Sequence, residues 1–394
     1  MRPSPSRAAG SAYRKVGAPV AWVGRFMRKR QLRKTAGKGD THQPQARGPS
    51  EDLAFAWRAE DSCAAELSDA STEMARSDSS DSSSDGEDAQ WYLGLSPPPL
   101  WEGEVVHALW ASALGSRHPY ALSLEELRVL AAAGGIPLKH RLVLWPRWFT
   151  ERDALDVETL QRKVPEAVRA QIELDVPRTQ PRWLGDADRA ALRRVLSACA
   201  VQRPELGYCQ GMNNIAAVLI ILGFDECTAL QGLLSLLRSC CPGYHDVGLA
   251  GWLRDAAVLG SLARDALPQE ALRRLDSLDI PLEVLASEHF LTVASRSWPL
   301  AATTRLWDLI LLEGPAVLLA SFLALLQLYL PGEEELRAAA VVGGREAPEP
   351  VEVFRQAVLR GVTEDLPTVL RHTRELMQLM PQGKIDVARR ASFR

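Results

Sequence analysis

The sequence predicts an all-α protein, a many-helix domain packed as two helical halves and preceded by a disordered N-terminal region. Three observations carry that prediction. Beyond the prolines at 97–99, apolar residues recur at the three- and four-residue spacing of helices buried on one face. Explicit helix starts and stops punctuate the pattern. Alternating runs of β-branched residues, the mark of strands, are few. The expected organisation is a disordered region over 1–99, a helical domain over 100–380, and a basic C-terminal tail over 381–394.

Residues 1–39 carry eleven Lys and Arg and no acid, with Val20, Trp22, Val23, Phe26 and Met27 set among Arg25, Arg28, Lys29 and Arg30. This composition suits a basic segment in peripheral contact with anionic lipid, or an organelle transit peptide. It equally suits a solvated tail, which the interrupting prolines and glycines favour. The run SDSSDSSSDGED over 77–88 has no apolar surface to bury and is expected to stay disordered. Its serines beside acids suit an acid-directed kinase, and Arg389-Arg390-Ala391-Ser392 has the pattern of a basic-directed phosphorylation site.

Within the helical region, Ser123 and Glu126 are spaced as a capping box ahead of LEELRVLAAA, and Gly134-Gly135 supplies a left-handed stop. Pro137 suits the first turn of the next helix. Asp186 is a candidate cap for the helix through Leu192, Val195, Leu196 and Cys199, which should end before Pro204. Asn213 or Asn214 is placed to cap IAAVLIIL, which closes at Gly223 and is apolar all round, so it belongs at the centre of the domain. No fixed-period repeat argues for a solenoid.

Hydrophobic content of 46%, charged content of 24% and a net charge of −3 are ordinary for a soluble chain and speak against nucleic acid as a partner. The six cysteines form no C-x-x-C pair and no histidines stand at zinc spacing, so they read as reduced thiols of a cytosolic protein with no metal site. Val317 to Leu330 is too short to span a bilayer of about 30 Å and is expected as a buried core helix.

No Gly-rich phosphate loop, H-E-x-x-H helix or recognisable Ser or Cys nucleophile is present, so the chain has no set of residues for autonomous catalysis. Three segments stand out instead: GIPLKHRLVLW at 135–145, IELDVPRTQP at 172–181 and GYCQGMN at 207–213. Arg178 lies between Pro177 and Pro181 on a stiff loop, and Val176, preceding a proline, is expected to be extended. A guanidinium held out in this way suits an arginine finger that reaches a phosphoryl group on another protein. It equally suits a local pair with Asp175 that ties the loop down.

Gln210 sits at the entrance to the apolar helix, where its amide either orients a water molecule or bonds the open N–H groups of the first turn, with Gly211 allowing a tight bend. Arg141 and Trp145, one helical turn apart, share a face and are expected to pack or pair inside the fold.

The patterns R-x-x-x-W, I-x-x-D-x-x-R and Y-x-Q-G-M, in this order, resemble the signature motifs of the TBC domain family of Rab GTPase-activating proteins. The similarity continues through CPGYHDVGLAGWLRD at 241–255, DIPLEVLASEHFLTVAS at 279–295 and RLWDLILLEG at 305–314, so it spans about residues 125–330. The resemblance implies a protein that stimulates GTP hydrolysis by a GTP-bound Rab in vesicle trafficking. Arg178 is then the arginine finger and Gln210 the glutamine finger.

On the same resemblance Asp175 orients the finger loop, Tyr208, Gly211 and Met212 shape its neighbourhood, and Arg141 and Trp145 support both from behind. The chain would need no cofactor of its own, since GTP and Mg²⁺ belong to the partner. One stretch departs from the family pattern: His289-Phe290-Leu291-Thr292-Val293-Ala294 stands where aromatic residues are frequent, at positions that read as packing or partner-facing. The resemblance also leaves open a Rab-binding scaffold without catalysis.

Overall fold

The computed structural model describes residues 104–153, 155–245, 249–343, 348–380 and 382–391. The segments at 1–39 and 77–88, Cys63 and Ser392 lie outside them. Every regular element among the described residues is helical.

The chain begins with α1 (Glu104–Leu114) and α2 (Leu124–Ala133), which pack together over a small cluster that includes Trp110, Leu127, Leu130 and Ile136. The Ser123 capping box is present: Ser123 Oγ accepts from the Glu126 N–H at 3.2 Å and a Glu126 carboxylate oxygen accepts from the Ser123 N–H at 2.7 Å. Gly135, at φ +93°, ends the helix by donating to Ala131 O at 3.0 Å. In α3 (Leu138–Trp148), Pro137 is the residue before the first turn rather than within it.

The first helical half consists of α4 (Val157–Gln161), α5 (Glu166–Asp175), α7 (Met212–Ile221) and α8 (Glu226–Cys240) gathered on α6 (Asp186–Gln202), with α3 joined to it through α8. From Met212 to Ile220 every residue of α7 is buried, as its all-round apolar pattern requires. The α6 cap differs from the expected one. Gly185 stands at the cap, Asp188 accepts from its N–H at 3.0 Å, and Asp186 is the first helical residue. Two acids in that first turn also complement the helix dipole.

The second half is built on α13 (Ala316–Tyr329). Against it, directly or through a neighbour, pack α10 (Gln269–Ser277), α11 (Leu282–Leu291), α12 (Leu300–Glu313), α15 (Pro350–Glu364) and α16 (Leu366–Leu379), with α9 (Ala250–Ala266) on α11 and α14 (Glu333–Gly343) on α15. Residues Ala316 to Leu326 are all buried, so the most apolar stretch of the chain is a core helix. No single described helix is long and apolar enough to cross a membrane. One continuous apolar cluster runs through both halves, and α12 touches α2 and α3 on one side and α13 on the other.

The chain end departs from the expected tail. Residues 382–391 form α17 (Gln382–Ala391), which docks on α9. Ile385 is buried in the main core, and Arg389 donates from Nε and Nη2 to the buried Asp255 at 3.0 and 2.6 Å. A basic tail was expected over 381–394; within it, one apolar side and one buried carboxylate partner hold a helix down.

Candidate functional site

The 172–181 segment closes α5 and turns at once into a 3₁₀ turn, Val176–Arg178. Val176 is helical, at φ −60° and ψ −44°, and not extended as the following proline suggested. Its N–H bonds Ile172 O and its carbonyl accepts from the Thr179 N–H at 3.1 Å, which together outweigh the steric preference imposed by Pro177. The turn projects Arg178 outward, with about half of its side chain exposed, while Asp175 beneath it is buried.

Arg178 donates from Nε to Asp175 Oδ1 at 3.0 Å and also from Nη2 to the same oxygen. Its Nη1 makes no hydrogen bond among the described residues. Both readings of this arginine therefore meet in one geometry: the pair with Asp175 exists, and it holds a guanidinium whose outer nitrogen stays open. The other Asp175 oxygen accepts from the Tyr208 hydroxyl at 2.5 Å. Burial, and next the Asp175 charge, push the Tyr208 phenol well above its ordinary range, so it remains a donor.

The 207–213 segment arrives from the other side. Gly211 takes φ +115°, and a side chain there would meet Leu291 O at 3.0 Å, so only glycine suits this bend. Gly211 caps α7 in place of either asparagine. Asn213 lies inside the first turn, and its Oδ1 accepts from the Gly211 N–H at 2.8 Å. Gln210 therefore bonds no N–H of the first turn, and the N–H of the cap residue Gly211 is taken by Asn213. Gln210 is half-buried, and its amide makes no hydrogen bond among the described residues. Met212 is buried in the core and cannot shape an exposed surface.

Two hydrogen bonds stitch these loops together: Tyr208 to Asp175, and Asn213 Nδ2 to Thr179 Oγ1 at 2.7 Å. The segment after α11 backs both. Leu291 O lies against Gly211, and Ser295 O accepts from Gln180 Nε2 at 3.5 Å.

Arg141 and Trp145 are fully internal and converge on a residue that motif reading passed over. Asp308 on α12 accepts from Arg141 Nε at 3.1 Å, Arg141 Nη2 at 3.0 Å, Trp145 Nε1 at 3.0 Å and the Ile136 N–H at 3.1 Å. Its neighbour Trp307 donates to Val293 O at 2.9 Å and lies 6.0 Å from Trp145, ring to ring. The node thus pins α3 to α12 and reaches, through Trp307, the segment that backs the two loops. The W-D pair at 307–308 was the available signal: an acid in an apolar helix needs a buried partner.

The divergent stretch resolves as packing. His289 is buried between Phe290, Trp298 and Phe322, and its Nε2 lies 3.0 Å from Ser321 Oγ. Burial brings its pKa down to about 3, so the ring is neutral. The described cysteines, Cys199, Cys209, Cys227, Cys240 and Cys241, are all free thiols.

Comparison with known proteins agrees with this architecture. Growth hormone-regulated TBC protein 6 of Caenorhabditis elegans is 36% identical over 183 residues, covering 46% of this chain and 54% of that protein. Human small G protein signaling modulator 3 is 32% identical over 273 residues, covering 61% of this chain and 35% of that protein. The chain therefore spans about half the length of the first relative and less of the second.

Among solved structures, the TBC domain of a Chlamydomonas flagellar RabGAP superposes with a TM-score of 0.55 at 22% identity, covering 74% of this chain and 95% of that one. The Ypt/Rab-GAP domain of Gyp1p gives 0.53 at 16% identity, covering 70% and 98%. These identities speak for the fold. Residues 140–334 match the family model of the Rab-GTPase-TBC domain, and through this region the chain belongs to that family.

Proposed function

We propose that this chain accelerates GTP hydrolysis by a Rab-type small GTPase, supplying Arg178 and Gln210 to a nucleotide site that the partner provides together with GTP and Mg²⁺. The observation that carries this reading is the pair itself. An arginine with an open outer nitrogen and a glutamine with an unengaged amide sit on adjacent loops that other residues hold rigid. Arg178, about half exposed, and the half-buried Gln210 leave these groups to solvent in the free chain, where a docking partner can take them up.

The chemistry is positional and electrostatic. The Arg178 guanidinium stabilises charge spreading over the γ-phosphoryl oxygens, and the Gln210 amide aligns the attacking water. Asp175 fixes the arginine with two charge-assisted hydrogen bonds and is itself fixed by Tyr208, so little side-chain entropy remains to be lost when the partner docks. An arginine supplied in trans is worth about 10³ to 10⁵ in rate.

The test is phosphate release from a panel of GTP-loaded Rab proteins, with catalytic amounts of the wild-type chain, Arg178→Ala and Gln210→Ala. Acceleration of at least one Rab that both substitutions abolish is the expected result. Binding across the panel with no acceleration would instead make the chain a Rab-binding scaffold.

A further inference from the structure

We propose that Thr179 and Asn213 are positioning residues that set the distance between Arg178 and Gln210. This proposal rests on the two-finger reading above. Thr179 directly follows Arg178, and Gly211 directly follows Gln210. Asn213 grips both neighbours, donating from Nδ2 to Thr179 Oγ1 at 2.7 Å and accepting the Gly211 N–H on Oδ1 at 2.8 Å. The shortest bonded path between the two fingers therefore runs through one buried asparagine amide.

The polarity of this path is fully determined. Thr179 donates its single hydroxyl hydrogen to Asp175 O at 2.7 Å, so towards Asn213 it can only accept. That requires Nδ2 to face Thr179 and leaves Oδ1 for the Gly211 N–H. A flipped amide would set donor against donor at Gly211 and acceptor against acceptor at Thr179. Thr179 and Asn213 are both buried, so no water replaces a lost member.

The strut also grips different atoms from the Asp175–Tyr208 bond. That bond holds the arginine side chain at its base, whereas Asn213 holds the peptide that carries Gln210. A Cβ at Gly211 would meet Leu291 O at 3.0 Å, so the end of α11 lies close behind the bend that carries this peptide.

Thr179→Val keeps the shape and removes the hydroxyl, and Thr179→Ser restores it. With the Rab saturating, Thr179→Val should lower the phosphate-release rate by about 10- to 100-fold, the scale of a misplacement of about 1 Å, while KM changes less than about threefold. Thr179→Ser should stay within about threefold of wild type. In a Gln210→Ala background, read in single turnovers with the chain in excess so that the residual acceleration by Arg178 alone is measured, Thr179→Val should cost only about threefold, because the second finger is gone. A merely structural lesion would cost the same factor in both backgrounds, and that result would overturn the proposal.

A second readout needs no activity. The Gly211 amide, on the opposite loop, should exchange its hydrogen faster in Thr179→Val and at the wild-type rate in Thr179→Ser. Unchanged Gly211 exchange in Thr179→Val refutes the strut whether or not any Rab is accelerated. Failure of the wild-type chain on every Rab refutes the two-finger reading, while the exchange result still decides whether Asn213 couples the loops.

Discussion

Replacing Asp308 by alanine removes, in one step, the acceptor for four donors: Ile136 N–H, Arg141 Nε and Nη2, and Trp145 Nε1. Asp308 is wholly buried and the Arg141 side chain is 2% exposed, so the buried guanidinium loses this carboxylate where water is largely excluded. Breaking a buried pair from one side costs about 3 to 5 kcal/mol, and the neutral donors bring the expectation to the upper part of that range. A domain of ordinary stability has about 5 to 15 kcal/mol to lose, so much of it goes.

The double variant Arg141→Met/Asp308→Leu removes the Arg141–Asp308 pair, leaves the Ile136 and Trp145 N–H groups unmet and removes the carboxylate that lies 4.0 Å from the buried Arg305. Its loss should therefore be smaller than that of Asp308→Ala without vanishing. Urea denaturation followed by tryptophan fluorescence, with midpoint and slope both fitted, measures each variant. A loss under about 1 kcal/mol for Asp308→Ala, or a double variant no more stable than the single, would refute the account of this node as a charge pair held by its surroundings.

Two further outcomes follow from the same geometry. Burial depresses the imidazole pKa of His245 to about 4 and of His289 to about 3, below an unfolded value of about 6.5. The unfolded chain then binds protons first, so stability is complete above about pH 6.5 and declines as the pH falls towards the folded values. The decline is of order 2 kcal/mol per histidine by pH 5. Urea midpoints at pH 7.5 and 5 should show this loss, and His289→Leu should shrink it; an equal loss in that variant would rule His289 out as a source. Gly211→Ala places a methyl group 3.0 Å from Leu291 O at a φ of +115°. It should lower thermal stability by the equivalent of about 1 to 3 kcal/mol and reduce phosphate release per folded molecule, although both fingers remain. A melting temperature and rate equal to wild type would show that the bend tolerates a side chain.

The sequence alone determined the helical class, the capping box at Ser123, the central position of α7 and the buried α13, and the two loops that carry Arg178 and Gln210. These are local matters: the period of apolar residues, the chemistry of caps and the stiffness of prolines act within a few residues of their cause. It also identified the internal face of α3, because Arg141 and Trp145 fall one turn apart. Tertiary structure alone decided what each of those residues meets. Asp308 lies far along the chain from Arg141, and no spacing rule pairs them.

The same holds for Asn213. Sequence offered it as a cap, and local geometry nearly granted that role, but the bond to Thr179 exists only because α5 and α7 both pack against α6. The basic end of the chain became α17 for a like reason, because the fold supplied a carboxylate at Asp255. Val176 turned helical for a local one: continuing the helix by a bond to Ile172 outweighed the preference of a residue before proline. Local propensity amounts to a few tenths of a kcal/mol up to about 1 per residue, and burial with satisfied hydrogen bonds exceeds it wherever the chain closes on itself.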